Sequence, residues 1–207
     1  MIDHVRDLTS VDEATERLLA SAAGLDNATT AEPSRLPGWS RGHVLAHISR
    51  NADALGNVLA GLPMYADSEV RDADIERDAP RPLAVQLADV RGSAAGFRER
   101  AALPADWSRT VTLRNGVTDS AAHVPFRRWA EVELHHVDLG IGYELADLPP
   151  EFTEREIDFL RQRFSADPAV AGVTGPATAL LGWLSGRGDG KELKAPDGGA
   201  LPVLPSL

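Results

Sequence analysis

The stretch "SRGHVLAHISRNADALGNVLAG", residues 40–61, decides the fold class. At 100° per residue, Val44, Ile48, Ala52, Leu55 and Leu59 fall on one continuous apolar arc, the pattern of an amphipathic helix. Ser40 stands where an N-cap belongs, and the helix is expected to run to about Gly61. Such an arc must be covered by other elements, and the flanking sequence supplies them. Residues 2–25 carry "SVDEATERLLASAAGL", with Ser10 and Glu13 at capping-box spacing and Gly24 as a stop. A third helix is expected over residues 82–102, and a fourth from about His123 to Ala146. Between the second and third, residues 63–80 are acidic and read as an irregular connecting loop.

Residues 107–119, "WSRTVTLRNGVTD", change character. β-branched residues alternate around Asn115-Gly116, a short-range hairpin signal. After the fourth helix, "LPPEFTEREIDFLRQRF" predicts a further one with Thr153 as cap and Glu156 at the box position. "GPATALLGWLSGRGDG" predicts a last helix closed by glycines, ahead of a Pro/Gly-rich tail. The chain thus reads as mainly α: an up-down four-helix bundle over residues 1–147 with an inserted β-hairpin, then a small helical C-terminal extension over 148–207.

Composition narrows the function. The 207 residues carry a formal net charge of -10, which disfavours nucleic acid and anionic membranes as partners. No apolar run approaches a membrane span and the N-terminus lacks a signal-peptide pattern, so a soluble, cytoplasmic protein is expected, monomer or homodimer. There are no cysteines, which removes disulfides, thiolate-ligated zinc and any protein-borne thiol nucleophile. A thiol used in the chemistry must come from outside.

Two helices carry candidate chemistry. On the first, His47 and Asn51 lie at the edge of the apolar arc, while His43 lies farther toward solvent. The plain reading of His47 is a boundary histidine bonded to a neighbouring helix. On the second, "AEVELHHVDLG", residues 130–140, sets Glu131 and His135 four apart on one side, so an imidazole and a carboxylate can reach one cation. Glu133 and His136 occupy a roughly opposite sector, and apolar residues flank both. Periodicity leaves open which pair faces inward. If it is Glu131 and His135, then with His47 they form a His/Glu/His set, typical of a catalytic zinc site with one position open. Asp138, one turn on, is either an acceptor orienting a ligand histidine or a surface charge. Trp39, Trp129 and Trp183 read as core.

"PGWSRGHVLAHISRNADALGNVL", "PMYADSEVRDADIE", "AEVELHHVDLG" and "LLGWLSGRGDG", in that order, resemble the mycothiol-dependent maleylpyruvate isomerases, members of the DinB-like group of metal-binding four-helix bundles. The resemblance covers most of residues 10–147 and resumes at the last helix. It implies His47, Glu131 and His135 as zinc ligands, with nickel or cobalt as other acceptable metals. It implies Arg187, in the "GRG" pattern, as a required arginine that grips a substrate carboxylate; its plain reading is a helix C-terminal arginine complementing the macrodipole. Asn51 is a further candidate for substrate or thiol contact. The implied cofactors are Zn2+ and mycothiol; the implied substrate is maleylpyruvate or a similar unsaturated oxo-acid. The implied reaction is thiolate addition to the cis double bond, rotation, and elimination to the trans isomer. The family's C-terminal α/β domain has no clear counterpart here, so a shortened, strand-poor extension is expected. Two other readings fit the same residues: a mycothiol S-transferase acting on electrophiles, and a non-catalytic metal-binding scaffold.

Overall fold

The computed structural model describes residues 2–65, 68–103, 106–165 and 168–204, and divides into two compact units, Met1–Gly142 and Tyr143–Leu207. The sequence suggested a division after residue 147; the compact units part five residues earlier (147 − 142).

In the first unit, α1 (His4–Ala22), α3 (Arg41–Leu59), α5 (Leu83–Ala102) and α6 (Val124–Asp138) form a closed ring: α3 packs on α5 and α6, and α1 packs on the same two from the other side. Leu18, Leu45, Ile48, Val90, Phe97, Phe126 and Val132 fill the middle and are all but inaccessible to solvent. This is the mainly helical bundle that the apolar arcs call for. The inserted hairpin is also present: β1 (Thr110–Thr112) pairs antiparallel with β2 (Thr118–Ser120), and Asn115 and Gly116 take φ of 57° and 73° at its tip. Those left-handed values suit Asn and Gly and explain why that dipeptide is there.

Ser40 caps α3 as expected, its hydroxyl accepting from the His43 backbone N–H. Elsewhere the helix boundaries depart from the sequence reading. α1 starts six residues before Ser10, at His4, capped by Asp3, whose carboxylate accepts from Arg6 N–H; Ser10 lies inside the helix. A short α2 (Asn27–Ala31), capped by Asp26, follows it.

The acidic stretch taken as a loop contains α4 (Ser68–Asp78), an eleven-residue helix; residues 66 and 67 of that stretch lie outside the described residues. It escaped the periodicity argument because charge surrounds it and its one deeply buried apolar residue is Ile75. Tertiary contacts hold it. Arg77 pairs with Asp74, and the buried Asp78 meets Arg77, Arg81 and Arg50. A Cβ at Gly42 would stand 2.2 Å from the carbonyl oxygen of Ala79, so only glycine lets α3 come this close to the end of α4.

α6 is shorter than predicted. A 3-10 turn (Ala121–His123) leads into it, and it stops at Asp138, because Gly140 (φ 64°) and Gly142 (φ 96°) turn the chain out of the helix. Arg41 fastens this end: its Nε donates to the Leu139 carbonyl at 2.8 Å, while its Nη1 donates to the Thr29 carbonyl and to Glu32.

The second unit holds α7 (Pro150–Arg163), α8 (Pro168–Ala171) and α9 (Ala177–Leu184), with α7 packed on α9. α7 begins one turn before the predicted cap: Pro150 occupies the first turn and the Thr153 N–H is already bonded to the Pro149 carbonyl. Thr153 and Glu156 are interior residues, not a capping box. Among the described residues, extended pairing in this unit is confined to one bridge between Thr174 and Lys194. No helix of the described residues is long and apolar enough to cross a membrane.

Candidate metal centre

The α3–α6 contact brings His47, Glu131 and His135 together. Each offers a ligand atom, and the three atoms lie within 4.8 Å of one another. His47 Nε2 stands 2.9 Å from Glu131 Oε2, and His135 Nε2 stands 3.3 Å from the same oxygen. Ligands about 2.0–2.1 Å from a tetrahedral ion would sit roughly 3.3 Å apart, so the set needs little rearrangement to enclose one. Two imidazoles and a carboxylate also suit a borderline divalent ion by donor chemistry. The residues present therefore fit a metal. The side chains of His47 and His135 are 8% and 14% exposed, but that of Glu131 is 33% exposed, so the centre is open on the carboxylate side.

The two sectors of α6 are both occupied, which is why periodicity could not choose between them. Glu133 faces α1, where it accepts from Arg17 at 2.5 Å and from Trp129 Nε1 at 2.9 Å, leaving Glu131 and His135 to face α3. Asp138 is an orienting acceptor, not a surface charge: it is buried, and its Oδ2 lies 2.8 Å from His135 Nδ1. A proton on Nδ1 directs the His135 lone pair through Nε2 toward the centre.

Burial opposes charge on all three residues. For His47 burial wins, aided by the nearby His135, and the pKa falls to about 4 despite the Glu131 hydrogen bond. For His135, burial is outweighed by hydrogen bonds to Asp138 and Glu131, and its pKa rises above the ordinary histidine value. For Glu131, burial is outweighed by hydrogen bonds from His135 and His47, which hold the carboxyl well below its ordinary range. A carboxylate and a neutral His47 are ready at neutral pH, while His135 keeps its proton longest.

Several neighbours went unnoticed in the sequence. Arg71, on α4, donates from Nη2 to His47 Nδ1 at 3.1 Å. Tyr65 shares a hydrogen bond with Arg71 and feels the charge of Glu131; burial raises its pKa. Tyr65 also lines a cleft of about 670 Å³ bounded by Val58, residues 61–64 and the hairpin from Arg109 to Asn115. The three candidate ligands do not line that cleft, so Tyr65 is the residue common to both. Arg128 lies one turn before Glu131 and is fully buried, with Nη1 donating to the Ile48 carbonyl and to Asn51 Oδ1, both at 2.9 Å. The one available signal for Arg71 and Tyr65 was their place in "PMYADSEVRDADIE", a stretch without apolar periodicity.

Other sequence candidates fall elsewhere. His43 serves the α3 cap, its Nδ1 accepting from the Ser40 N–H at 3.2 Å. Asn51 is 2% exposed and its amide oxygen is committed to Arg128, so any influence on a bound thiol passes through that arginine. Trp129 and Trp183 are core, but Trp39 is half-buried with its ring 5.5 Å from that of His47, at the centre rather than in the core. Arg187 belongs to the second unit and lies just beyond α9, not within it; its N–H donates to the Gly182 carbonyl and its Nη1 to the Ser185 carbonyl.

The fold class is the DinB-like helical bundle, with a candidate His/Glu/His metal cluster between two of its helices. Within it, the chain belongs to the mycothiol maleylpyruvate isomerase family, whose N-terminal domain model matches residues 11–140. Two solved structures share the fold. One is a mycothiol-dependent maleylpyruvate isomerase, at 23% identity and TM-score 0.86. The other is a single histidine-to-alanine mutant of a mycothiol-dependent maleylpyruvate isomerase, at 22% identity and TM-score 0.85. Each comparison covers 99% of this chain and 97% of the other. At that coverage the C-terminal region is not substantially shorter than in those structures, which corrects the shortening read from the sequence. No curated protein matches at the level of sequence.

Proposed function

We propose that this chain is a metal- and mycothiol-dependent cis-trans isomerase of an unsaturated oxo-acid such as maleylpyruvate. The observation that carries the reading is the convergence of His47 Nε2, Glu131 Oε2 and His135 Nε2 on one point, open on the Glu131 side. A zinc ion held by these three would keep a position free and would lower the pKa of a thiol there, supplying a thiolate at neutral pH. The reaction itself is reversible addition of the thiol sulfur to the cis double bond, rotation about the resulting single bond, and elimination to the trans isomer with return of the thiol.

The chain's own residues divide the remaining work. Asp138 holds the His135 proton on Nδ1 and keeps Nε2 directed at the centre. Arg128, held by Asn51, places a fixed positive charge one turn from Glu131. Arg187 is assigned to a substrate carboxylate, for which its planar fork of donors is suited. The absence of cysteine from the chain accords with a nucleophile brought by a separate thiol.

The test is metal content of the wild type beside His47→Ala and Glu131→Ala, with thiol-dependent loss of maleylpyruvate followed in the same samples. One bound metal, lost in both variants, with wild-type turnover that needs catalytic mycothiol, supports the reading. Stoichiometric consumption of thiol into an adduct would replace isomerisation by S-transfer. Absence of bound metal would remove the basis of both.

A further inference from the structure

The two histidines of the centre differ on the side away from it. His135 Nδ1 faces a carboxylate, Asp138 Oδ2, at 2.8 Å. His47 Nδ1 faces a guanidinium, Arg71 Nη2, at 3.1 Å. Arginine has donors only, so His47 Nδ1 accepts this bond and the neutral ring carries its proton on Nε2. That proton points at Glu131 Oε2, 2.9 Å away. A metal ion on Nε2 requires the other tautomer, in which Nε2 gives up its proton and Nδ1 takes one. Two donors would then face each other across 3.1 Å. Metal coordination by His47 and the Arg71–His47 hydrogen bond therefore exclude one another.

A guanidinium displaced from His47 stays close. Arg71 is only 12% exposed, shares a hydrogen bond with Tyr65, and is held to α4, whose end is tied to α3 through Gly42 and the Ala79 carbonyl. Tyr65 opens onto the 670 Å³ cleft, whose wall also carries Arg109 and Arg114. In a chain of net charge -10, Arg109 and Arg114 in that wall and Arg71 beside it concentrate positive charge that favours an anion, even with Arg109 Nη2 bonded to the Val58 and Leu59 carbonyls and Arg71 Nη1 paired with the exposed Asp72.

We propose that Arg71 is an exchangeable anion-binding residue: it gives up His47 Nδ1 when His47 takes a metal ion, and turns to a carboxylate of the substrate beside the centre. The proposal rests on the metal reading above and deepens it, because it makes the carboxylate subsite conditional on metal. The order of binding follows: metal first, dicarboxylate second.

Cobalt(II), whose visible absorption reports its ligands, and maleate without any thiol are the probes. Cobalt affinity is measured by chelator competition, and maleate affinity by titration of the cobalt-loaded protein, for wild type, Arg71→Met and Arg71→Lys. With Arg71→Met, cobalt should bind as tightly as to wild type or several-fold tighter, since no competing donor remains. Maleate should bind ten- to a hundredfold more weakly, the usual scale for losing a charge-assisted bidentate contact. Arg71→Lys should fall between, and guards against a folding defect in the methionine variant. Nitrogen-15 shifts of His47 should show the proton on Nε2 before cobalt's diamagnetic substitute zinc is added and on Nδ1 afterwards. Cobalt bound normally with unchanged maleate affinity in both variants overturns this proposal alone. So does cobalt affinity that falls in Arg71→Met as far as in His47→Ala, because Arg71 would then support the centre. No cobalt bound by wild type overturns the metal reading and this proposal together.

Discussion

Asp138 Oδ2 lies 2.8 Å from His135 Nδ1, and both sit in the last turn of α6, where Arg41 and Gly140 end the helix. The buried carboxylate does two things to that imidazole. It orients Nε2 toward His47 and Glu131, and it makes the protonated ring more stable, so that a metal ion must compete with a proton. These effects act in opposite directions on metal affinity, and a single substitution separates them.

Asp138→Asn keeps the size and a hydrogen-bonding oxygen but removes the charge. Metal affinity at pH 8 should fall by about ten- to a hundredfold, the scale for losing an orienting partner of a ligand histidine. In the wild type, affinity should rise with pH until the raised His135 pKa is passed and then level off. In Asp138→Asn that levelling should occur at lower pH. Zinc competition titrations between pH 5.5 and 8.5 decide it; an unchanged profile would mean that Asp138 does not govern His135.

Without metal, stability should fall as pH drops from about 6.5 to 4. His47 titrates at about 4 in the folded chain and near 6.5 when unfolded, so across this window the unfolded state binds the extra proton. A shift of this size corresponds to about 3 kcal/mol at most. His135 adds no slope there: its raised pKa gives stability that is fully present below 6.5 and lost as pH rises through the folded value. Glu131, held low, gives stability present above its unfolded value and lost only at still lower pH. Urea unfolding of the wild type and His47→Gln at successive pH values should show the slope in the first and its loss in the second.

Arg128 and Asn51 should behave as one unit. Arg128 Nε and Nη2 have no partner among the described residues, while Nη1 satisfies Asn51 Oδ1. Arg128→Met leaves the buried amide oxygen orphaned and should cost about 1–3 kcal/mol. Asn51→Leu alone strands the guanidinium further and should cost about 3–5 kcal/mol, on the scale of breaking a buried charged pair. The double variant should cost less than the sum of the two, which a double-mutant cycle reads directly.

Gly42→Ala should cost about 1–3 kcal/mol, since its Cβ would meet the Ala79 carbonyl oxygen at 2.2 Å and force α3 from the end of α4. The thermal midpoint reports the loss, and a variant as stable as wild type would mean that α4 moves aside at no cost.

Arg187→Ala should lower kcat/KM at least tenfold with at most a small fall in thermal midpoint: the side-chain bond to the Ser185 carbonyl is lost, while the backbone bond from its N–H to the Gly182 carbonyl survives. Arg187→Lys should recover only part, lacking the planar fork. Equal activity in both variants would remove Arg187 from the reaction.

What the sequence determined by itself is what repeats along a helix. The apolar arc of residues 44–59 required a bundle, Ser40 marked the start of α3, and Asn115-Gly116 marked the hairpin, because each depends on neighbours within a few residues. The i,i+4 spacing likewise placed Glu131 and His135 on one side of α6. Which side that was, only the packing decided: α1 takes Glu133 through Arg17, and α3 then takes the other face. The same holds for α4, a helix with no apolar stripe, made stable by ion pairs to Asp78 and by close approach to Gly42, neither visible in its own sequence. Arg71 reaches His47 across 24 residues and Arg128 reaches Asn51 across 77. Hydrogen bonds between distant segments leave no periodic trace, so the donors around the centre, and with them the tautomer of His47, were settled by the tertiary structure alone.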